Sequence, residues 1–207
     1  MGKQDGQLII RGDMDPNHEG GYSFGVVEDY KEEQKKTDIT ILIQGIVTPY
    51  KKNSEGDLIK VIAIPWKAII EKLDLNPRLM FEIPPHKWEE IIAASYDIAG
   101  FEEVILTPRS NDHGRDIIAV KRGVGSVRII NSVKAYREGK RVRYDDIRAL
   151  LGVLSSDFKT SKGILTTTSD FPSRVMNDPL IRPLIPSKLE LVNGTELNKW
   201  LQELAKK

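Results

Sequence analysis

One aspartate and one lysine sit where a single β-hairpin would lay them on the same patch of sheet. The stretches Asp116–Lys121 and Val127–Tyr136 are rich in branched residues and are joined through Gly123-Val124-Gly125, the pattern of two strands and a tight turn. With the turn centred near Val124, Asp116 lies eight residues before it and Ser132 eight after it. Folding the hairpin sets Asp116 beside Ser132, with Lys134 one step further along. Side chains alternate along a strand, so Ser132 and Lys134 share a face, and Asp116 joins them where no bulge intervenes. A carboxylate and an ammonium on one face, near a helix carrying Glu89 and Glu90, suit phosphodiester cleavage. That reaction builds charge on the attacking and leaving oxygens. A carboxylate-held divalent cation stabilises the charge and lowers the pKa of a bound water. Mg²⁺ (or Mn²⁺ in its place) takes hard oxygen ligands and keeps several waters, so one or two carboxylates suffice. A lysine nearby can orient the water or stabilise the phosphate.

The elements that must position these residues can be read from pattern. Pro85 to Ala99 has Trp88, Ile91, Ile92 and Ser95 at helical spacing, with Gly100 as terminator. A strand is expected over Glu103 to Thr107, then a turn-rich segment from Pro108 to Gly114. After the hairpin, Tyr144 to Phe158 is a helix with Ile147, Leu150, Leu151 and Leu154 on one face. Strands follow at Gly163 to Thr168 and Leu189 to Val192, and an amphipathic helix at Thr195 to Lys206. This α-β-β-β-α-β-β-α order predicts an α/β fold, a mixed sheet flanked by helices. The preceding part reads as a small β-rich domain. Its strands are expected at Leu8 to Arg11, Tyr22 to Val27, Ile39 to Val47 and Leu58 to Ile64, with a polar hairpin loop at 51–57 and a short helix from Trp66 to Leu73. The boundary is placed between Asn76 and Pro85, giving domains 1–80 and 81–207.

The chain has 207 residues, enough for one large domain or two small ones, and the composition of an ordinary globular protein. It has no cysteine, which excludes disulfides and thiolate metal sites and fits a reducing cytoplasm. His18, His86 and His113 are far apart, unlike a structural zinc site. No stretch is apolar enough to span a bilayer, no secretion signal is evident, and a cytoplasmic location is expected. Thirty-one Lys and Arg nearly balance 30 Asp and Glu. Nucleic-acid affinity would therefore come from distribution: Lys121 to Arg148 is rich in cations, among them Lys121, Arg122, Arg128, Arg137, Lys140, Arg141 and Arg143.

Six segments in register carry a resemblance: 88–92 (Trp-Glu-Glu-Ile-Ile), 100–104 (Gly-Phe-Glu-Glu-Val), 107–119 (Thr-Pro-Arg-Ser-Asn-Asp-His-Gly-Arg-Asp-Ile-Ile-Ala), 132–136 (Ser-Val-Lys-Ala-Tyr), 162–171 (Lys-Gly-Ile-Leu-Thr-Thr-Thr-Ser-Asp-Phe) and 191–197 (Leu-Val-Asn-Gly-Thr-Glu-Leu). Over about 81–207 the chain resembles the catalytic domain of Mrr-like, Type IV restriction endonucleases, within the PD-(D/E)xK nuclease superfamily. The resemblance implies a restriction-endonuclease-like mixed sheet and a Mg²⁺-dependent deoxyribonuclease acting on DNA, in defence against foreign DNA. It implies that Asp116 and Glu89 bind metal, that Val133 offers its carbonyl to the same ion, and that Lys134 is the catalytic lysine. Family members normally carry Glu or Gln two residues before the lysine; Ser132 stands there. By analogy with relatives in which a neighbouring helix fills that place, Asp145 and Asp146 are the candidate substitutes.

Plainer readings stand beside these. Asp145 can cap its helix, His113 can be a turn residue, Gly123-Val124-Gly125 opens no helix and suits a hairpin better than a phosphate loop, and the hydroxyls of Thr166 to Ser169 can meet DNA phosphates or simply end a strand. Two other functions remain open: a catalytically inactive nucleic-acid-binding module with a decayed metal site, and a subunit that acts within a larger complex. Domain 1–80 would be a recognition or partner-binding module. Cleavage of both DNA strands would call for a homodimer, since one site cuts one strand.

Overall fold

Seven strands form one sheet in sequence order, β1 (Val47–Lys52), β2 (Asp57–Val61), β3 (Glu103–Leu106), β4 (Ile117–Lys121), β5 (Val127–Lys134), β6 (Lys162–Thr167) and β7 (Leu189–Val192). In this computed structural model residues 39–108 and 114–207 are described, and all belong to one compact unit, Thr37–Lys207. Pairing is antiparallel from β1 to β5 and parallel from β5 to β7. The change falls at β5 for a reason of connection length. A tight turn joins β4 to β5, whereas β5 reaches β6 through helix α3 (Tyr144–Ser156), the long crossover that parallel strands need.

Three more long helices pack on the sheet, α1 (Ala63–Leu75), α2 (Pro85–Ile98) and α4 (Gly194–Ala205). Alternation along the strands sorts the core into two layers. Ile117, Ala119, Ile129, Val133 and Ile164 face the side where α1, α2 and α4 bury Trp66, Ile69, Trp88, Ile91, Ile92 and Leu197. Ile118, Ile130 and Leu165 face the other side, under Ile147 and Leu150 of α3. Both faces being covered explains why β4 reads as a nearly continuous apolar run. Among the described residues no helix is long and apolar enough to cross a membrane.

The helices and strands expected after residue 85 all form, most ending a residue or two from the expected limits. Gly100 terminates α2 at φ +83°, a conformation open to glycine. The part before residue 85 differs. Residues 39–42 are helical, and β1 begins only at Val47, so Ile39 to Val47 is not one strand. A short apolar run fits either period; here Ile39, Ile43 and Ile46 recur at helical spacing and are all buried. The boundary expected near residue 80 does not separate residues 39–80 from the rest. Strand β2 pairs with β3, Asp57 opposite Leu106, and α1 packs in the same core layer as α2 and α4. The strands expected at Leu8 to Arg11 and Tyr22 to Val27 lie outside the described residues.

Helix α4 is tied to the end of β6. Asn193 caps it, its side chain accepting from the Glu196 N–H at 2.9 Å while Glu196 accepts from the Asn193 N–H at 2.9 Å. The Gly194 N–H donates to the Ser169 carbonyl at 2.8 Å. A Cβ at Gly194 would lie 2.5 Å from the Thr168 carbonyl oxygen, a backbone atom that cannot swing aside. Gly194→Ala is therefore expected to destabilise the protein by about 1–3 kcal/mol, the usual cost of overpacking. Urea denaturation checks this, and an unchanged midpoint would show that α4 does not lean on the β6 end.

Candidate functional site

The register of the hairpin is centred on Val124: Ile117 pairs with Asn131, Ile118 with Ile130, and Lys121 with Val127. Pairing stops at Ile117 and Asn131, yet β5 continues through Ser132, Val133 and Lys134. Asp116 occupies the mouth where the two strands part. Its N–H donates to the Asn131 carbonyl at 3.1 Å, and its carboxylate accepts from the Val133 N–H at 2.5 Å. The side chain thus takes over where the ladder ends. Its own carbonyl accepts from the Thr107 N–H at 3.1 Å, anchoring it to β3.

That geometry fixes the direction of a second oxygen. Within a strand the N–H and C=O of one residue point to the same side. The Val133 carbonyl therefore lies on the same edge of β5 as its N–H, the edge facing β4. The Lys134 carbonyl points the other way, accepting from the Thr167 hydroxyl at 2.7 Å. Side-chain alternation puts Ser132 and Lys134 on the α3 face with Ile130. Ser132 is 2% exposed, Lys134 is half-buried, and Lys134 makes no ion pair among the described residues.

Glu89 is placed differently. It rides on α2, which packs on the opposite face from Ser132 and Lys134. The first half of α2 does lie at the Asp116 end of the sheet. The Trp88 indole donates to the Met80 carbonyl at 3.0 Å, and Met80 borders Gly194 beside the end of β6. Glu90 is held by Lys87 at 2.8 Å. Glu89 shares its end of the sheet with Asp116, not its face with Lys134.

The candidate substitutes are occupied elsewhere. Asp145 is exposed and lies 3.6 Å from the Arg148 guanidinium. Asp146, not Asp145, caps α3, accepting from the Arg143 N–H at 3.1 Å. The same oxygen, Oδ2, accepts from the Tyr136 hydroxyl at 2.8 Å. Desolvation, then this bond and the Asp146 charge, push the Tyr136 phenol up to about 12.

A residue that pattern reading passed over sits beneath the site. Asn131 is 1% exposed and donates to the Tyr96 hydroxyl at 2.9 Å and to the Thr166 hydroxyl at 3.0 Å. Burial raises the Tyr96 phenol above its ordinary range. This buried triad links α2, β5 and β6 directly behind Ser132. An asparagine within an apolar strand is the signal that could have found it. The hydroxyls of Thr166 to Ser169 are buried. Thr168 both accepts from the Tyr136 N–H and donates to the Tyr136 carbonyl at 2.9 Å, and Thr167 donates to the Lys134 carbonyl, so these two hydroxyls tie the ends of β5 and β6 together. His113 lies outside the described residues.

For a divalent cation, the Asp116 carboxylate and the Val133 carbonyl present two hard oxygens on one side of β5. Ser132 adds no carboxylate, and among the described residues no three of His, Cys, Asp and Glu gather as a metal site. The donors fit a cation that keeps most of its water, as Mg²⁺ does, and not one caged by protein.

Comparison with curated proteins finds no match. Among solved structures, the MspJI restriction endonuclease in complex with a 27-mer oligonucleotide is similar at 15% identity and a TM-score of 0.40. The alignment covers 68% of this chain but 33% of that one, so the chain spans about a third of that relative's length. The family model of the Mrr catalytic domain, described as restriction endonuclease, matches residues 80–201. Those residues are more than half of the sequence and hold β3 to β7, Glu89, Asp116, Ser132 and Lys134. The chain belongs to the Mrr catalytic-domain family of restriction endonucleases.

Proposed function

We propose that the protein is a metal-dependent endonuclease that hydrolyses DNA phosphodiester bonds, working in restriction of foreign DNA. The observation that carries this reading is the parting of β4 and β5. It leaves the Asp116 carboxylate and the Val133 carbonyl directed to one side of β5, next to Lys134, in a member of a restriction endonuclease family. Asp116 and Val133 would hold Mg²⁺ or Mn²⁺, with Glu89 approaching from the end of α2. When bound, the cation supplies charge stabilisation for the phosphate and a more acidic water. Asp116 is held in place by its bond to Val133, so its orientation is set before substrate arrives. Lys134, on the strand next to that carboxylate, orients the water or neutralises charge on the phosphate oxygens. Ser132 leaves the cation with fewer protein ligands. Restriction of DNA is work for the cytoplasm, and a chain without cysteine suits it. A cut through both strands would take two copies.

Ser132 and the lack of a three-ligand cluster among the described residues favour one rival, a nucleic-acid-binding module that no longer cuts. Supercoiled plasmid incubated with the full chain and Mg²⁺ or Mn²⁺ separates the two. Nicking or linearisation is expected, abolished by EDTA and reduced about 100-fold or more in Asp116→Ala and in Lys134→Ala. DNA binding with no cutting under any divalent metal would instead establish the rival.

The same assay decides the place of Asp146. We read it as serving α3 and Tyr136, so Asp146→Asn should leave most cleavage intact. It should also bring the Tyr136 titration down from about 12, because the carboxylate's hydrogen bond and charge both raise it. Tyrosinate absorbance against pH reads the second effect. A loss of cleavage equal to that of Asp116→Ala would make Asp146 a metal ligand.

A further inference from the structure

The cations of the 121–148 stretch divide between the two ends of the sheet. Arg122 is at the far end, bound to Glu103 at 2.6 Å, and Lys121 lies over the Phe101 ring there. Arg128 is also spent, on Glu55 at 2.5 Å and Asp157 at 3.6 Å. The loop after β5 is different. Lys140 lies 4.6 Å from the centroid of the Tyr136 ring, and Tyr136 is two residues beyond Lys134 in β5's direction. Tyr136 leads through Asp146 to the head of α3, where Tyr144 carries two guanidinium groups. Arg148 is 5.8 Å and Arg174 4.8 Å from the centre of that ring. Arg174 belongs to the 3₁₀ turn Ser173–Asn177 that follows β6, and the Val142 N–H bonds the Asp170 carbonyl to bring the two segments together. This cluster therefore lies at the Lys134 end of the sheet, on the α3 side.

Tyr144, Arg148, Arg174 and Asp178 line a cleft of about 360 Å³. Two like charges gathered at one ring repel each other unless an anion joins them. Arg174 makes no ion pair among the described residues. The Arg148–Asp145 pair is a largely exposed contact, weak enough for another anion to displace. Asp178 uses one carboxylate oxygen on the Leu180 and Ile181 N–H groups, at 2.9 and 3.2 Å. A guanidinium resting on a ring engages its face and leaves its in-plane N–H donors for a phosphate.

We propose that Arg148 and Arg174, held on Tyr144, bind one backbone phosphate of DNA away from the bond being cut, so that the duplex is set in register with Lys134. The proposal rests on the reading of DNA as substrate. It adds a positioning contact on the side of the molecule opposite α2.

Anisotropy of a fluorescein-labelled duplex, with Ca²⁺ in place of Mg²⁺ and salt varied, tests it on the full chain. Arg148→Ala with Arg174→Ala should weaken binding about 10- to 100-fold. It should also flatten the salt dependence by about one unit of log K against log salt. Tyr144→Leu keeps every charge and should lose part of the affinity. Arg122→Ala, at the far end, should bind as the parent does. Inorganic phosphate at constant ionic strength should not displace the DNA. Parent-like binding by the double variant, or displacement by free phosphate, overturns the proposal and leaves the nuclease reading standing. No binding by the parent protein overturns both.

Discussion

The structure around the site depends on one hydrogen bond, from the Val133 N–H to the Asp116 carboxylate. Two antiparallel strands that part must leave backbone groups without partners, and a buried N–H left so costs about 1–3 kcal/mol. Asp116 removes that cost at Val133 with a side chain. An aspartate is suited to this, since it is short enough to stay beside its own backbone and carries a second oxygen. One carboxylate thus terminates a ladder and still presents charge at the mouth between the strands. The strand end is stable because of the acid, and the acid is oriented because of the strand end.

Much of this could be seen in the sequence because the hairpin is local. Gly123-Val124-Gly125 sets the turn, alternation sets the register, and the register puts Asp116 against residues 132–134. What periodicity could not supply is the nature of the contact. Spacing set Asp116 beside Ser132, but it could not say that the carboxylate accepts from the backbone N–H of Val133. Nor could spacing alone say that Glu89 and Lys134 sit on opposite faces of the sheet. That depends on which side α2 docks, which is decided by packing of Trp88, Ile91 and Ile92 against β4 and β5.

The misreading of residues 39–80 has a related cause. Short runs of isoleucine serve a buried strand and a buried helical turn equally well, and nothing local separates Ile39, Ile43 and Ile46 from a strand. Strand β2 pairs with β3 although 41 residues, 62 to 102, lie between their ends in sequence. Such non-local pairing leaves no mark in a window of sequence. Residues 39–80 thereby enlarge the sheet on the side away from β6, and the core layer holding α2 gains Trp66, Ile69 and Leu73 from α1.

Electrostatics followed position, not count. A net charge of +1 says little about partners, and the cation-rich stretch proves to be three things. Arg128 is a structural ion pair that fastens the β1–β2 turn and the end of α3 to β5, through Glu55 and Asp157. Arg122 closes the far end of β3 and β4 through Glu103. At the near end Lys140 rests on the Tyr136 ring and Arg148 on Tyr144, where Arg174, from the turn after β6, joins it. A cation paired with a carboxylate has its donors engaged, whereas one stacked on a ring keeps most of them. The tyrosines therefore do for the surface beyond β5 what Asp116 does within it. They fix polar groups in direction while leaving part of their bonding capacity for something other than protein.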